Sequence, residues 1–431
     1  MSNTYISGPS DRCSMSSTRT DAGARSPSKT KRKILSGVST NVLILGVVSL
    51  LTDMSSEMIY PVLPLFLTAI GATGLVIGLI EGAAETTASL LKVASGWYSD
   101  KFNKRKPFVL GGYGASAAVK PALIAATMPW QVLGIRITER IGKGVRSAPR
   151  DALIADSTAP EKMGKAFGFH KAMDSSGAVI GPIIALVILA YAASMEELEA
   201  YRLIFIFATL PAFAAVLVAL VLKDKETPRR SGRGKFVAEL RNLGRGFWLI
   251  ILVVMTFYIG EISYAFFILQ SSNAGMSDTT SILLYVLFNL VFVIVAMPSG
   301  SLSDRIGRKP VILASFLLFS LTAAVMAAAD SLLLLALGFI LFGVYKGSSE
   351  GVLKAYVVDF APKDLRGSAL GAFHTAVGLV MLPGGIVAGL LWDSVAPWAT
   401  FAFGAAMALV ASSLLVVVGG ATGGSKNHGT G

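Results

Sequence analysis

The 431-residue chain holds a single cysteine, Cys13, so no internal disulfide can form. Charge is also scarce: Asp, Glu, Lys and Arg make up 15% of the residues, against about 25% in soluble domains. That shortage excludes one solvated globule. A Gly-rich phosphate-binding loop, a Ser–His–Asp arrangement and metal-ligand spacing are all missing. ATP is therefore not expected as an energy source, nor catalysis as an activity, and no cofactor is implied. The apolar runs show no period-two alternation, which excludes a membrane β-barrel.

Apolar sequence is what the chain has in abundance. Hydrophobic residues reach 53%, with a mean hydropathy of +0.65. A membrane-spanning helix needs about 20 such residues, because hydrocarbon satisfies no backbone group. Breaking the runs at Gly, Pro and charge gives twelve spans, near 38–70, 75–98, 107–127, 131–156, 166–191, 203–222, 246–270, 279–299, 310–329, 332–356, 367–391 and 398–420. The expected fold is an all-α integral membrane protein of twelve transmembrane helices in two pseudo-symmetric six-helix bundles. Residues 1–34, rich in Ser, Thr and Arg, read as a disordered basic tail and not a cleavable signal. The bundles are expected over 35–222 and 246–420, with a linker at 223–245 and a second tail at 421–431.

The loops between spans fall into two sets. "DKFNKRK", "DKETPRRSGRGK", "DRIGRK" and "PKDLRG" share one side with both termini. "GATG", "MPW", "SSNAGMSD" and "DSVAP" lie on the other and contain no Lys or Arg, while "SMEELEAYR" has only Arg202. By the positive-inside rule the basic set is cytoplasmic, which places the chain in the cell (inner) membrane with both termini inside. The formal charge of +12 thus reflects topology, and no nucleic-acid partner is expected. The expected partners are the lipid bilayer and a small-molecule or metal-ion substrate, with the monomer as the working unit.

The halves repeat. "GWYSD" at 96–100 matches "GSLSD" at 300–304, and "EMIY" at 57–60 matches "EISY" at 261–264, both with an offset of 204. Two similar six-helix halves suggest a transporter whose halves rock about a midplane site.

"GWYSDKFNKRKP" and "GSLSDRIGRKP" resemble the signature loop of the major facilitator superfamily between the second and third helices of each half. Gly96 and Gly300 would permit close helix approach. Asp100 and Asp304 would end the helices, Gly307 would allow a tight turn, and Lys101, Arg105, Arg305 and Arg308 form the basic clusters. Asn103 stands where the pattern has Gly. The resemblance implies that the Asp and basic residues latch the halves on the cytoplasmic side. "GAVIGP" in span 5, with Gly177, Gly181 and Pro182, resembles an element of the family's exporters, and "IIA" replaces the glycines that usually follow. "RIGKGVRSA" in span 4 resembles a motif whose Arg, here Arg140, is associated with proton coupling; Lys143 replaces its Gln. Longer stretches, among them "DMSSEMIYPVLP", are similar to a bacterial subgroup that includes nickel-resistance permeases, within the drug and metal efflux branch. Those often end in a His-rich tail, and here "GGSKNHGTG" has one His.

Ionisable groups inside a bilayer are costly and face cavities or one another. Here they fall on spans 1, 2, 4, 5, 7, 10 and 11, and spans 6, 9 and 12 have none inside. Those three match scaffold helices of the superfamily. Lys120 on span 3 is an exception, expected to pair with a neighbouring acid, and span 8 is expected to be apolar or neutral. The candidate cavity set is Asp53, Glu57, Glu85, Glu139, Arg140, Glu261 and Glu350. Lys346, Glu350 and Lys354 form an i, i+4, i+8 ladder that reads as an internal ion-pair network. His170 and His374 read as packing or interface residues. Asp53, Glu57 and Glu261 are the coupling candidates, since a carboxylate removed from water takes up a proton more readily. Tyr60 and Tyr264 share their faces. Asp53, Glu57 and Met58 are candidate ligands if the substrate is a metal. The expected function is a secondary transporter working by alternating access, a proton-driven exporter of a small solute or metal cation. A proton symporter importing an organic solute is the rival, and a non-transporting receptor a remote one.

Overall fold

The computed structural model describes residues 39–102, 104–224, 240–362 and 365–423. The Asp100 side chain, Asn103, the expected N-terminal tail, residues 225–239 of the linker and residues 424–431 lie outside that set. Among the described residues all regular structure is helical.

Span 1 is two helices, α1 (Thr40–Ile59) and α2 (Leu63–Ala69). Pro61 donates no backbone hydrogen bond, and Pro64 falls in the first turn of α2, where that loss costs nothing. Span 2 is α3 (Gly74–Phe102). Span 3 is α4 (Lys106–Val119), which tightens at Pro121 into a 3-10 turn, Lys120–Leu123, and so ends short of the expected boundary. Spans 4, 5 and 6 are α5 (Pro129–Asp156), α6 (Met163–Tyr191) and α7 (Glu197–Ala219). Span 7 breaks as span 1 does, into α8 (Arg245–Ile259) and α9 (Tyr264–Asn273), here without proline. Gly260 closes α8, and the Ser263 hydroxyl accepts from the Ala265 N–H at 3.3 Å to start α9. Spans 8 to 12 are α10 (Asp278–Ile306), α11 (Arg308–Ala327), α12 (Leu332–Asp359), α13 (Arg366–Ser394) and α14 (Pro397–Gly423).

Ten spans are long and apolar enough by themselves to cross a membrane. Spans 3 and 4 are the others. Proline shortens α4 to 14 residues, and α5 carries Arg136, Glu139, Arg140, Lys143, Arg146 and Arg150. Such a helix is tolerable only when neighbours cover its charges. They cover all but Lys143, which is exposed: α3 and α4 pack along α5.

In the first half α1 packs on α6 and α7; in the second, α12 packs on α10 and α11, and α14 on α11 and α8. α7, α11 and α14 turn apolar side chains such as Leu210, Leu321 and Val417 outward. This is the scaffold role that their lack of internal charge implied. Three seams join the halves: α3 with α13, α6 with α10, and α2 with α9. The α3–α13 seam is lined by glycine. A Cβ at Gly78 would overlap the Gly385 carbonyl oxygen, and one at Gly82 would stand 2.8 Å from that of Met381. The helices are in backbone contact there, as small residues every fourth position permit.

Candidate functional site

The two α5 arginines form the base of the site. Arg136 is fully buried and divides its guanidinium between Glu139, at 2.7 Å, and Glu81 of α3, at 3.0 Å. One turn on, Arg140 pairs with Glu85 at 3.0 Å. Both guanidinium groups lie over the ring of Tyr60, 4.9 and 5.2 Å from its centroid, a favourable cation–π arrangement. Tyr60 sits in the break between α1 and α2. Its ring stacks on Tyr264 of the second half at 6.0 Å, and Tyr264 packs on Tyr285 of α10 at 5.5 Å. Tyr60 and Tyr264, expected on the faces of Glu57 and Glu261, meet across the interface.

The two coupling candidates related by the repeat differ in their partners. Glu57 accepts from the Tyr285 hydroxyl at 2.8 Å, across the halves. Glu261 lies in the α8–α9 break and bonds within its own half, to Tyr345 and to Lys346 of α12. Asp53 lies beside Asp174 of α6, which accepts from Ser49 at 3.0 Å and from Lys171 at 2.9 Å. The glycines of "GAVIGP" bring α6 against α1 at these carboxylates. A Cβ on Gly177 would lie 3.1 Å from that of Asp53, and one on Gly181 2.9 Å from that of Glu57. Pro182 follows, buried within α6.

Three expectations need correction. Lys120 has no carboxylate partner among the described residues; it donates to the hydroxyls of Ser55, at 2.6 Å, and Ser56, at 3.0 Å. Pro121 turns the backbone there, and Lys120 ends up beneath α1. The ladder on α12 divides, since Lys346 turns to Glu261 and leaves Glu350 with Lys354 at 3.1 Å. Among the described residues nothing lies within 4 Å of a Cβ added at Gly300, so none of their helices approaches it, whereas a Cβ added at Gly96 would stand 3.2 Å from that of Ala148. Of the histidines, His170 is buried and His374 sits across the seam from Lys92, Nε2 to Nζ 3.2 Å.

The metal candidates do not converge. Met58 is buried in the apolar core. Among the described residues no three His, Cys, Asp or Glu side chains form a group able to hold an ion.

The signature loops hold pseudo-symmetric ion pairs. Arg105 meets Asp156 at the end of α5 at 3.5 Å, and Arg308 meets Asp359 at the end of α12. Each pair lies within one half. Gly307 takes φ +92° and makes the expected tight turn. Lys101 lies over the Trp97 ring, and Asp304 and Arg305 are exposed.

Exposure shows which end is open. Along α3 it rises from 7% at Glu81 to 40% at Glu85; along α12 from 31% at Lys346 to 49% at Glu350; along α6 from 25% at Asp174 to 58% at Lys171. All three gradients run towards the face with the basic loops. At the opposite face the halves are bonded. Asp393 at the end of α13 accepts from the backbone N–H groups of Gly74 and Leu75, at 2.8 and 2.7 Å, which caps α3. Tyr201 of α7 donates to Asp278 of α10. The site is thus more exposed towards the basic face and bonded across the halves at the opposite one.

Comparison with known proteins agrees with this geometry. The profile of the Major Facilitator Superfamily matches residues 45–277 and 247–428. An uncharacterized MFS-type transporter of Methanocaldococcus jannaschii is 36% identical over 390 residues, covering 88% of this chain and 95% of that protein. The multidrug resistance protein MdtH of Aeromonas hydrophila is 24% identical over 351 residues, covering 80% and 86%. The crystal structure of a D323A mutant of the nucleoside transporter NupG superposes with a TM-score of 0.74 at 14% identity, covering 88% of this chain and all of that one. The chain belongs to the Major Facilitator Superfamily and is a secondary transporter.

Tyr285, Ser263, Asp156, Asp359 and Asp393 escaped the sequence reading. Asp156 and Asp359 lie 203 apart, as do Arg105 and Arg308, so the repeat held that signal. The cross-half partners left none, because nothing in one helix's periodicity names the helix it faces.

Proposed function

We propose that the protein is a proton-coupled exporter of a small organic solute. The carrying observation is that exposure around Asp53 and Glu57, the coupling candidates on α1, rises towards the basic face, while the halves are bonded to each other at the opposite one. If that face is cytoplasmic, as loop charge implies, this is the state that loads cargo from inside an inner membrane. The proton gradient supplies the energy. The two bundles, 35–222 and 246–420, rock about the site, with the Arg105 and Arg308 loops acting as gating elements and Glu85, Glu139, Arg140, Glu261 and Glu350 lining or bracing the cavity. The monomer holds every residue the cycle uses. Cargo and proton compete for Glu57 or Asp53, which gives antiport. The likeness to a protein named for multidrug resistance supports efflux, and the absence of a convergent ligand group among the described residues favours an organic solute over nickel.

The test is transport in liposomes containing a pH dye, with imposed gradients of nickel and then of organic solutes. Efflux coupling requires protons to move against the solute, and E57Q must abolish the counterflow. Protons moving with the solute would assign symport instead.

A further inference from the structure

We infer that the cargo is a zwitterion; this rests on the transport reading above and names its substrate class. The positive pole of the site is Arg140. Its side chain is 2% exposed, and Nη2 pairs with Glu85. Nε and Nη1 have no partner, and neither has the Tyr264 hydroxyl. A buried guanidinium with two free donors is expensive unless something accepts from it. Glu85 is 40% exposed, so this ion pair borders the open cavity. Nε and Nη1 lie on different edges of the guanidinium, so a carboxylate would take one of them together with Nη2, sharing Nη2 with Glu85.

The negative pole is Asp53 with Glu57. Glu81, Glu85, Glu139, Asp174, Glu261 and Glu350 all have an Arg or Lys within 4.0 Å. Among the described residues Asp53 and Glu57 have none; the partner of Glu57 is Tyr285. Lys143 acts on both carboxylates from beyond ion-pair distance, and an ammonium group supplies the direct partner they lack.

The poles flank one aromatic wall. Arg140 lies over Tyr60, Tyr60 stacks on Tyr264, Tyr264 packs on Tyr285, and Tyr285 reaches Glu57. Tyr60 and Tyr285 are 7% and 3% exposed, so these rings join the two poles and do not themselves receive the cargo. A bare cation would meet the free donors of Arg140, and a simple anion would meet two carboxylates. A zwitterion satisfies both ends, and its ammonium competes with protons for Asp53 and Glu57, the competition that antiport requires.

Three probes separate these cases: para-aminomethylbenzoate, its methyl ester, which is a cation, and para-toluate, which is an anion. With the full chain in detergent, calorimetric titration is expected to show the zwitterion binding about tenfold or more tighter than either relative, as two charge-assisted contacts imply. R140K is expected to erase the advantage over the ester, and E57Q the advantage over para-toluate. Y264F, which removes only a hydroxyl, is expected to weaken the zwitterion by about two- to tenfold. Equal binding of the ester or of para-toluate, no binding of any probe, or an unchanged ratio in both R140K and R140Q overturns the assignment. Proton counterflow driven by the ester alone would sink the zwitterion and leave proton-coupled export standing. Zwitterion binding through Arg140 without counterflow would do the reverse.

Discussion

Tyr285 donates its hydroxyl to Glu57 across the interface between the halves, at 2.8 Å, whereas Glu261, at the repeat-related position, takes its tyrosine, Tyr345, from its own half. The same carboxylate position is thus tied across the halves in one copy and within a half in the other. Rocking must break the first bond and can keep the second.

Y285F is therefore expected to shift the equilibrium away from the state described, by about 1–3 kcal/mol, the usual worth of such a bond. Y345F should leave that equilibrium in place. Labelling of a cysteine introduced on the face opposite the basic loops, in a C13S background, reads the difference. Equal labelling of the two variants would contradict the asymmetry.

Asp393 fastens the closed end by capping a helix that belongs to the other half. D393A should open that end by about 0.5–2 kcal/mol, and D393N should retain most of the closure, since Asn also caps well. Distances between spin labels at Ala72 and Val395 measure the change. If D393A lengthens no distance population, the cap is not a latch.

Lys120 and Arg136 are both buried cations, and their removal should differ in cost. Lys120 bonds only hydroxyls, and Ser55 has its own acceptor in the Ala208 carbonyl, at 2.5 Å. K120M should stay within about 1 kcal/mol of the parent or be more stable. R136M strands Glu81 and Glu139 in the interior and should cost about 3–5 kcal/mol. Unfolding in detergent, scanned at one rate for both, tests the order.

Gly78 faces the Gly385 carbonyl with no room for a methyl group, and Gly351 of α12 has nothing within 4 Å of an added Cβ. G78A should destabilise by about 1–3 kcal/mol, as overpacking does, and G351A should be near neutral. The same unfolding measurement separates them.

How far the sequence reached can be traced through these residues. Hydropathy located the spans because each helix must satisfy its own backbone in lipid. It gave spans 1 and 7 as single runs; proline chemistry accounts for the break at Pro61, and the matching break at Gly260 has no proline. The charge census found Glu85 and Arg140 as inhabitants of the interior, but their pairing depends on α3 lying along α5, a fact of tertiary packing. Lys120 shows the same limit: its burial followed from its position, and its hydroxyl partners did not. Glu57 and Glu261 looked equivalent in their flanking residues, and only the helices opposite them made them different.

The glycine seam between α3 and α13 has a bearing on speed. Where Gly78 meets Gly385 backbone to backbone there are no interlocked side chains to withdraw and no rotamers to reset when the helices swivel. Friction at such a joint comes from peptide groups alone, so the halves can turn about it while the knotted side-chain contacts elsewhere open and close. A residue with any side chain at Gly78 would convert a bearing into a ratchet.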